Sequence, residues 1–315
     1  MRWDAQRRLR HARRPAKDFN GILMPVRLDR LLTLWLFQPL RRSVWKTGGF
    51  RLPVLMYHSV SDESEAGVPP YYRTSTSPRA FAGHMALLRA HGFQTVSLKT
   101  GLRMLRGEDA AREKSVVLTF DDGFRDFRTA AFPVLRQYGF NATVFLTTAF
   151  VGQKPDRFKM RECLTWGDVR ELQQAGMEFG SHTVNHSMLV DLAWKDVEKE
   201  VRVSKAEIEQ HLGERVISFA YPYAFPSLRT DFVGRLGRLL RETGYECCVT
   251  TDIGSASAAS DAFAIPRLPV NGDDDVNLLE AKLDGGYDWM AAPQRLFKTL
   301  KQWRRFRGGI NPSGN

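Results

Sequence analysis

From Arg51 onward, short apolar runs alternate with longer amphipathic stretches, and polar residues collect at the joints between them. The runs "RLPVLMYHSV", "FQTVSL", "VVLTFDD", "NATVFLTT", "MEFGSHT", "VISFAYPY", "YECCVTT" and "FAIPRLPV" read as strands. Between them lie stretches with helical spacing and helix punctuation. Ser77-Pro78 opens "SPRAFAGHMALLRAHGF" and Gly92 closes it, while Gly139 ends "FRTAAFPVLRQYGF". "TWGDVRELQQAG" and "GRLGRLLRETG" follow the same rule. In "AWKDVEKEVRVSKAEIEQHLG", Trp194, Val197, Val201, Ser204 and Ile208 share one face. Strand and helix in regular alternation predict an α/β fold with a mostly parallel sheet. Positions 51–315, about 265 residues, match one closed (β/α) barrel of roughly 250 residues.

Charge divides the chain differently. Of 46 Lys/Arg and 35 Asp/Glu, residues 1–51 hold thirteen and three, which leaves 33 and 32 for the remainder. The net charge of +11 therefore belongs to an N-terminal arm, and the near-neutral body gives no support for nucleic-acid binding. In "VRLDRLLTLWLFQPLRRSVW", Leu28, Leu31, Leu32, Trp35 and Leu36 recur at helical spacing between arginines. Such a helix has two destinations: peripheral contact with an anionic membrane through residues 22–46, or packing of its apolar stripe on the main domain. A second basic run, "KTLKQWRRFR", closes the chain. The expected division is a basic amphipathic arm over 1–50, a barrel over 51–297 and a basic tail over 298–315. No secretory signal is evident, because Pro25, Arg27, Asp29 and Arg30 interrupt the candidate apolar region. The run Leu31–Phe37 is far short of the roughly 20 residues that cross a bilayer. Cys163, Cys247 and Cys248 form neither a disulfide framework nor a paired metal spacing. The expected location is cytoplasmic, peripheral at the inner membrane.

Three strand ends carry chemistry. In "VVLTFDDG" an apolar run ends in two adjacent carboxylates, Asp121 and Asp122, where Gly123 permits a turn. "FGSHTVNH" places His182 and His186 four apart, on one face if the segment turns helically. With Asp122 these histidines make a two-imidazole, one-carboxylate set suited to Zn²⁺ first and another divalent transition metal second. One of the paired carboxylates can then ligate while the other remains a free base. In "FAYPYAFP", Pro222 between Tyr221 and Tyr223 fixes a strand-end loop, and a backbone N–H near Tyr223 offers an oxyanion donor. Taken singly, that loop reads equally as an aromatic strand cap.

"TFDDG", "SHTVNH" and "FAYPYA", in this order and at these separations, resemble the motifs of the polysaccharide deacetylases, the family-four carbohydrate esterases with a NodB-homology domain. The resemblance covers roughly residues 51–275. It implies a distorted (β/α) barrel of about seven parallel strands and metal-dependent hydrolysis of N-acetyl groups on a sugar polymer. It makes Asp121 the general base and Asp122, His182 and His186 the metal ligands. The sequence departs from the family where an Arg and a Gly often flank the third motif, since Ala220 and Ala224 stand there. Arg267 in "IPRLPV" is the candidate substitute for that orienting Arg. No His follows His211, so the late acid of the family is missing. An exopolysaccharide-type subgroup places it early, after a Tyr, and "VLMYHSV" makes His58 the candidate acid; its alternative is a hydrogen-bonded core histidine. Trp166 matches a recurrent helix-opening Trp, read as packing before cleft wall.

The expected substrate is an N-acetylated oligo- or polysaccharide of exopolysaccharide or cell-envelope type. Other readings are a non-catalytic glycan-binding barrel and hydrolysis of a non-sugar amide or a phosphoester.

Overall fold

The computed structural model describes residues 27–43 and 49–308, with 42 and 301–308 as backbone. Seven parallel strands form the barrel: β1 Val54–Tyr57, β2 Ser115–Phe120, β3 Thr143–Leu146, β4 Glu178–Ser181, β5 Ser218–Ala220, β6 Cys247–Ile253 and β7 Ile265–Pro269. Each pairs with the next in chain order, and β7 pairs back onto β1, so the sheet closes. Closure leaves no exposed edge among these strands. The expected distorted barrel is what the chain forms. A two-residue strand, Gln94–Thr95, flanks β2 outside the ring.

Alternation along the strands builds two apolar layers. Leu55, Tyr57, Leu118, Phe120, Val144 and Leu146 join the larger core beneath the surrounding helices. Their neighbours Val54, Val117, Phe145, Ala220 and Val249 form a smaller cluster with Leu98 and Leu102 of helix Leu98–Leu105. That helix falls partly within a stretch expected to be a strand: "FQTVSL" pairs only at Gln94–Thr95, then Ser97 caps a helix by accepting from Thr100 N–H. Period two also carries function, because Val117, Thr119 and Asp121 share a face, as do Gly180 and His182. A Cβ at Gly180 would stand 2.5 Å from both the Phe145 ring and Ser218 Oγ, so only glycine fits below His182.

The helices start and stop as their caps require. Pro78–Ala90 begins after Ser77, whose hydroxyl accepts from Ala80 N–H. Trp166–Gln174 begins with a capping box between Thr165 and Asp168. Trp194–Leu212 ends at left-handed Gly213. Residues 28–43 form one continuous helix with a π segment at Thr33–Phe37. The helix Ala291–Gly308 crosses the expected boundary at 297/298, and Lys298 docks on Phe225 O. Among the described residues, no helix is long and apolar enough to cross a membrane.

Candidate metal centre and its proton-handling neighbours

Asp121 and Asp122 follow β2 at the C-terminal end of the barrel, and both are 2% exposed. Neighbouring side chains should diverge, yet both carboxylates enter one mouth. Asp122 adopts φ 72° and Gly123 φ 68°, so the chain turns left-handed immediately after Asp121 and swings the second carboxylate inward. The sequence had suggested a turn at Gly123, but the aspartate shares in making it.

His182 follows β4. Its Nδ1 lies 2.8 Å from Ala220 O, so Nδ1 carries the proton and Nε2 presents a lone pair. That Nε2 lies 3.5 Å from Asp122 Oδ1, and His186 Nε2 lies 3.2 Å from the same oxygen. Oδ1 is buried and makes no hydrogen bond, and His186 Nδ1 is likewise buried and unpartnered. One ligand atom from each of the three residues lies within 4.8 Å of the others. Two imidazole nitrogens and a buried carboxylate oxygen thus converge without a satisfied hydrogen bond among the described residues, and these donors fit a divalent ion. The mouth is open on one side, where Tyr223 is 45% exposed.

The histidine pair does not arise from a helical turn, as its spacing had suggested. Residues 182–187 are irregular, and Thr183 and His186 are left-handed at φ 69° and 54°. Two groups hold them there. Thr183 Oγ1 accepts from His186 N–H at 2.9 Å. Buried Glu200, on helix Trp194–Leu212, accepts from Val184 N–H, Asn185 N–H, Asn185 Nδ2 and Ser187 Oγ at 2.7–3.2 Å. Sequence reading missed Glu200, because one acid among many on an amphipathic helix carries no distinguishing signal.

Asp121 has different company. Arg267, fully buried on β7, grips both of its oxygens at 2.7 Å. Thr119 Oγ1 and Thr250 O engage the remaining guanidinium face at 3.1 and 2.9 Å. Burial alone would raise the Asp121 pKa, but Arg267, with His182 and His58 nearby, outweighs it and holds the group at about 2. Burial also opposes ionisation of Asp122, and there His186, Lys159, His58 and His182 keep the carboxylate well below its ordinary range. His58, at the end of β1, places Nε2 3.9 Å from Asp121 Oδ2. Burial lowers its pKa more than Asp121 raises it, so His58 is neutral at pH 7. His182 is pushed down by burial to about 4 and is also neutral, as a metal ligand must be.

Tyr223 stands at φ 60° with its ring 4.5 Å from that of His186, and its carbonyl accepts from Thr251 Oγ1 at 3.0 Å. Pro222 is buried behind it. Tyr221, expected with them at the substrate, is not brought to the mouth. Its side chain is fully buried and meets Phe225 edge-on at 5.1 Å, because the strand ends at Ala220 and the left-handed turn at Tyr223, φ 60°, breaks the alternation that would put the two tyrosines on one face. Trp166 is buried and stacks on His211 at 3.9 Å, which leaves the packing role alone. Cys163 is a buried thiol pushed up to about 12 by its surroundings.

A second missed residue is Lys159. It lies at the turn of a hairpin, Arg157–Phe158 paired with Arg161–Glu162, that reaches over the mouth. Its ammonium is 3.0 Å from Asp122 Oδ2 and 4.7 Å from the Phe158 ring centroid. Asp122, Lys159, Met160, Thr183, His186 and Tyr223 are the non-glycine residues with positive φ among those described. All belong to loops at this mouth. Backbone strain of this kind persists where surrounding contacts over-determine it, commonly at functional sites.

A closed parallel barrel carries, at the C-terminal ends of its strands, a two-imidazole, one-carboxylate cluster whose donors suit a divalent ion. The comparisons with known proteins name the family. A family model described as polysaccharide deacetylase matches residues 108–246. YxkH of Bacillus subtilis, a protein named for that family, is 32% identical over 225 residues, covering 70% of this chain and 72% of that one. The chain is also 27% identical over 261 residues to the poly-beta-1,6-N-acetyl-D-glucosamine N-deacetylase of Escherichia coli K12, covering 73% of this chain but 38% of that larger protein. Among solved structures, the Streptococcus pyogenes deacetylase PplD matches with TM-score 0.64 and 26% identity, over 75% of this chain and 99% of that one. IcaB from Ammonifex degensii matches with TM-score 0.63 and 25% identity, over 75% and 98%. This chain belongs to the polysaccharide deacetylase family and is a hydrolase of carbon–nitrogen bonds other than peptide bonds.

Proposed function

We propose that the protein removes N-acetyl groups from an amino-sugar polymer, releasing acetate and leaving a free amine, with one divalent cation on Asp122, His182 and His186. The observation that carries this reading is the buried, unbonded Asp122 Oδ1 facing two imidazole nitrogens beside a second, differently partnered carboxylate. An ion held there would polarise the acyl carbonyl and ease deprotonation of a water. Zn²⁺ suits the nitrogen and oxygen donors, with other divalent transition metals next. Relatives from Escherichia coli and Staphylococcus epidermidis are named for poly-beta-1,6-N-acetyl-D-glucosamine, which makes β-1,6-linked N-acetylglucosamine the first substrate to assay. A mouth open where Tyr223 is 45% exposed suits a polymer.

The family motif gives Asp121 the proton of the attacking water; His58, the early-histidine candidate, would protonate the leaving amine, and Arg267, the candidate substitute for the missing Arg, would orient Asp121. The backbone N–H of Tyr223, set by Pro222, is the proposed donor to the developing oxyanion. One observation favours a second division of the proton work. Both Asp121 oxygens are engaged by Arg267, and a pKa of about 2 makes a weak base near neutrality. Neutral His58 can instead take the proton first and return it to the amine, with Asp121 stabilising the imidazolium between these steps.

Acetate release from defined β-1,6-linked N-acetylglucosamine oligomers by Zn²⁺-loaded protein tests the function. Steady release is expected; stoichiometric Zn²⁺ with no acetate from any acetylated glycan would sink it. The pH profile of kcat/KM separates the two proton schemes. If His58 must start protonated, activity falls as pH rises through its pKa, below 6.5. If it must start neutral, activity falls as pH drops through the same value and stays level above it.

A further inference from the structure

The helix over residues 28–43 presents its polar and semi-polar side to the barrel and its apolar side outward. Arg27 pairs with Asp274 at 2.9 Å and donates to Asp273 O at 3.1 Å. Tyr287 OH donates to Asp29 at 2.8 Å, and Trp289 Nε1 donates to Thr33 Oγ1 at 2.9 Å. Phe37 stacks on Trp289 with centroids 4.4 Å apart. These contacts fix the rotation of the helix. The opposite face leaves Trp35 80% exposed and Leu28 66% exposed, with Leu31, Leu32, Leu36 and Leu40 exposed beside them. Packing of the leucine stripe on the main domain, one of its two expected destinations, is therefore not what occurs.

Charge says what covers this face. In sequence, positions 1–26, which lead into the helix, hold seven Lys/Arg against two Asp, and Arg42 and Lys46 follow Arg41, whose side chain donates to Asp284 O. A second apolar patch, Leu296, Phe297 and Leu300, is exposed on the helix Ala291–Gly308. That helix opens just after Trp289, the residue against which Phe37 packs, and its sequence ends in "KQWRRFR". Both exposed apolar strips are thus bracketed by basic sequence, while residues 52–290 between them hold 27 Lys/Arg against 32 Asp/Glu. Phosphate headgroups above an acyl layer satisfy both the leucines and the arginines.

We infer that the outward face of helix 28–43, centred on Trp35, docks on an anionic lipid bilayer and holds the barrel peripherally against it. The polar contacts to Asp274, Tyr287 and Trp289 pre-set the orientation, so docking need not order the helix. This inference stands apart from the chemistry proposed for the mouth and is tested without it.

The test is co-sedimentation of the full chain with vesicles of phosphatidylcholine alone or with one quarter phosphatidylglycerol, at low and high salt. Partitioning onto the anionic vesicles should exceed that onto neutral ones by about tenfold or more and weaken as salt screens the headgroups. Trp35→Glu combined with Leu31→Glu should cut it by about tenfold or more, with Trp35→Glu alone intermediate, while the melting temperature stays unchanged. Undiminished binding of the double variant, or no preference for anionic vesicles, would overturn the inference. So would a concentration-dependent dimer, seen by analytical ultracentrifugation, that Trp35→Glu dissolves.

Discussion

Asp121 and Asp122 are neighbours in sequence, equally buried, and served in opposite ways. Asp121 has a permanent cation: Arg267 saturates both of its oxygens from inside the barrel. Among the described residues, Asp122 keeps one buried oxygen without a hydrogen bond, opposite two imidazole nitrogens, and its other oxygen meets the half-exposed Lys159. Two carboxylates cannot be buried side by side without compensation. Here the protein neutralises one with a fixed side chain, and the proposed function assigns the other to an exchangeable ion. The comparison teaches that a doubled acidic motif need not mean two equivalent ligands, since what each acid does follows from the charge placed behind it.

The largest expected effect comes from removing the exchangeable side. His182→Ala should lower acetate release by about 10³-fold or more, the several kcal/mol that a Lewis acid contributes, and should abolish stoichiometric metal uptake. Next is the fixed side. Arg267→Met leaves Asp121 buried and unpaired and should destabilise the fold by about 3–5 kcal/mol in urea unfolding. The folded pKa of Asp121 lies below its ordinary 3.8, so its stabilisation is present above about pH 4 and lost as pH falls toward about 2. Arg267→Met should therefore erase part of the pH dependence of stability between those values, and an unchanged profile would show that the pair is not coupled to folding. Glu200→Ala should weaken metal affinity by roughly 10–100-fold without disturbing Asp121, because it releases the backbone that presents His186. Glu200→Asp should recover part of that loss. The smallest effect is Lys159→Met, expected to tighten metal binding by no more than about fivefold, the scale of a solvent-exposed ion pair.

Much of this was legible in the sequence. The fold was legible because each strand of a closed parallel barrel is a compact apolar run, and "VVLTF" becomes the fully buried β2. Asp121, Asp122, His182 and His186 were legible because they interrupt such runs where a core strand ends. Arg267 could be named only as a substitute, since its partner is set by a contact spanning 146 positions. Tyr221 was misplaced by reading a motif as one surface, when the left-handed turn at Tyr223 separates the two tyrosines. The left-handed turns at Asp122, Thr183 and His186 were invisible, because non-glycine residues there depend on tertiary bonds such as those from Glu200. Helix 28–43 was visible as an amphipathic pattern, but the pattern alone does not say which side touches the protein. Thr33, Phe37 and Arg27 decide that.

The difference between the two aspartates is most directly tested by calorimetric Zn²⁺ titration of the wild type, Asp121→Asn and Asp122→Asn. One ion per chain should bind to the wild type and to Asp121→Asn with similar affinity, and at least ~100-fold more weakly to Asp122→Asn. Tight stoichiometric binding retained by Asp122→Asn, or lost in Asp121→Asn, would contradict the assignment of one acid to the ion and the other to Arg267.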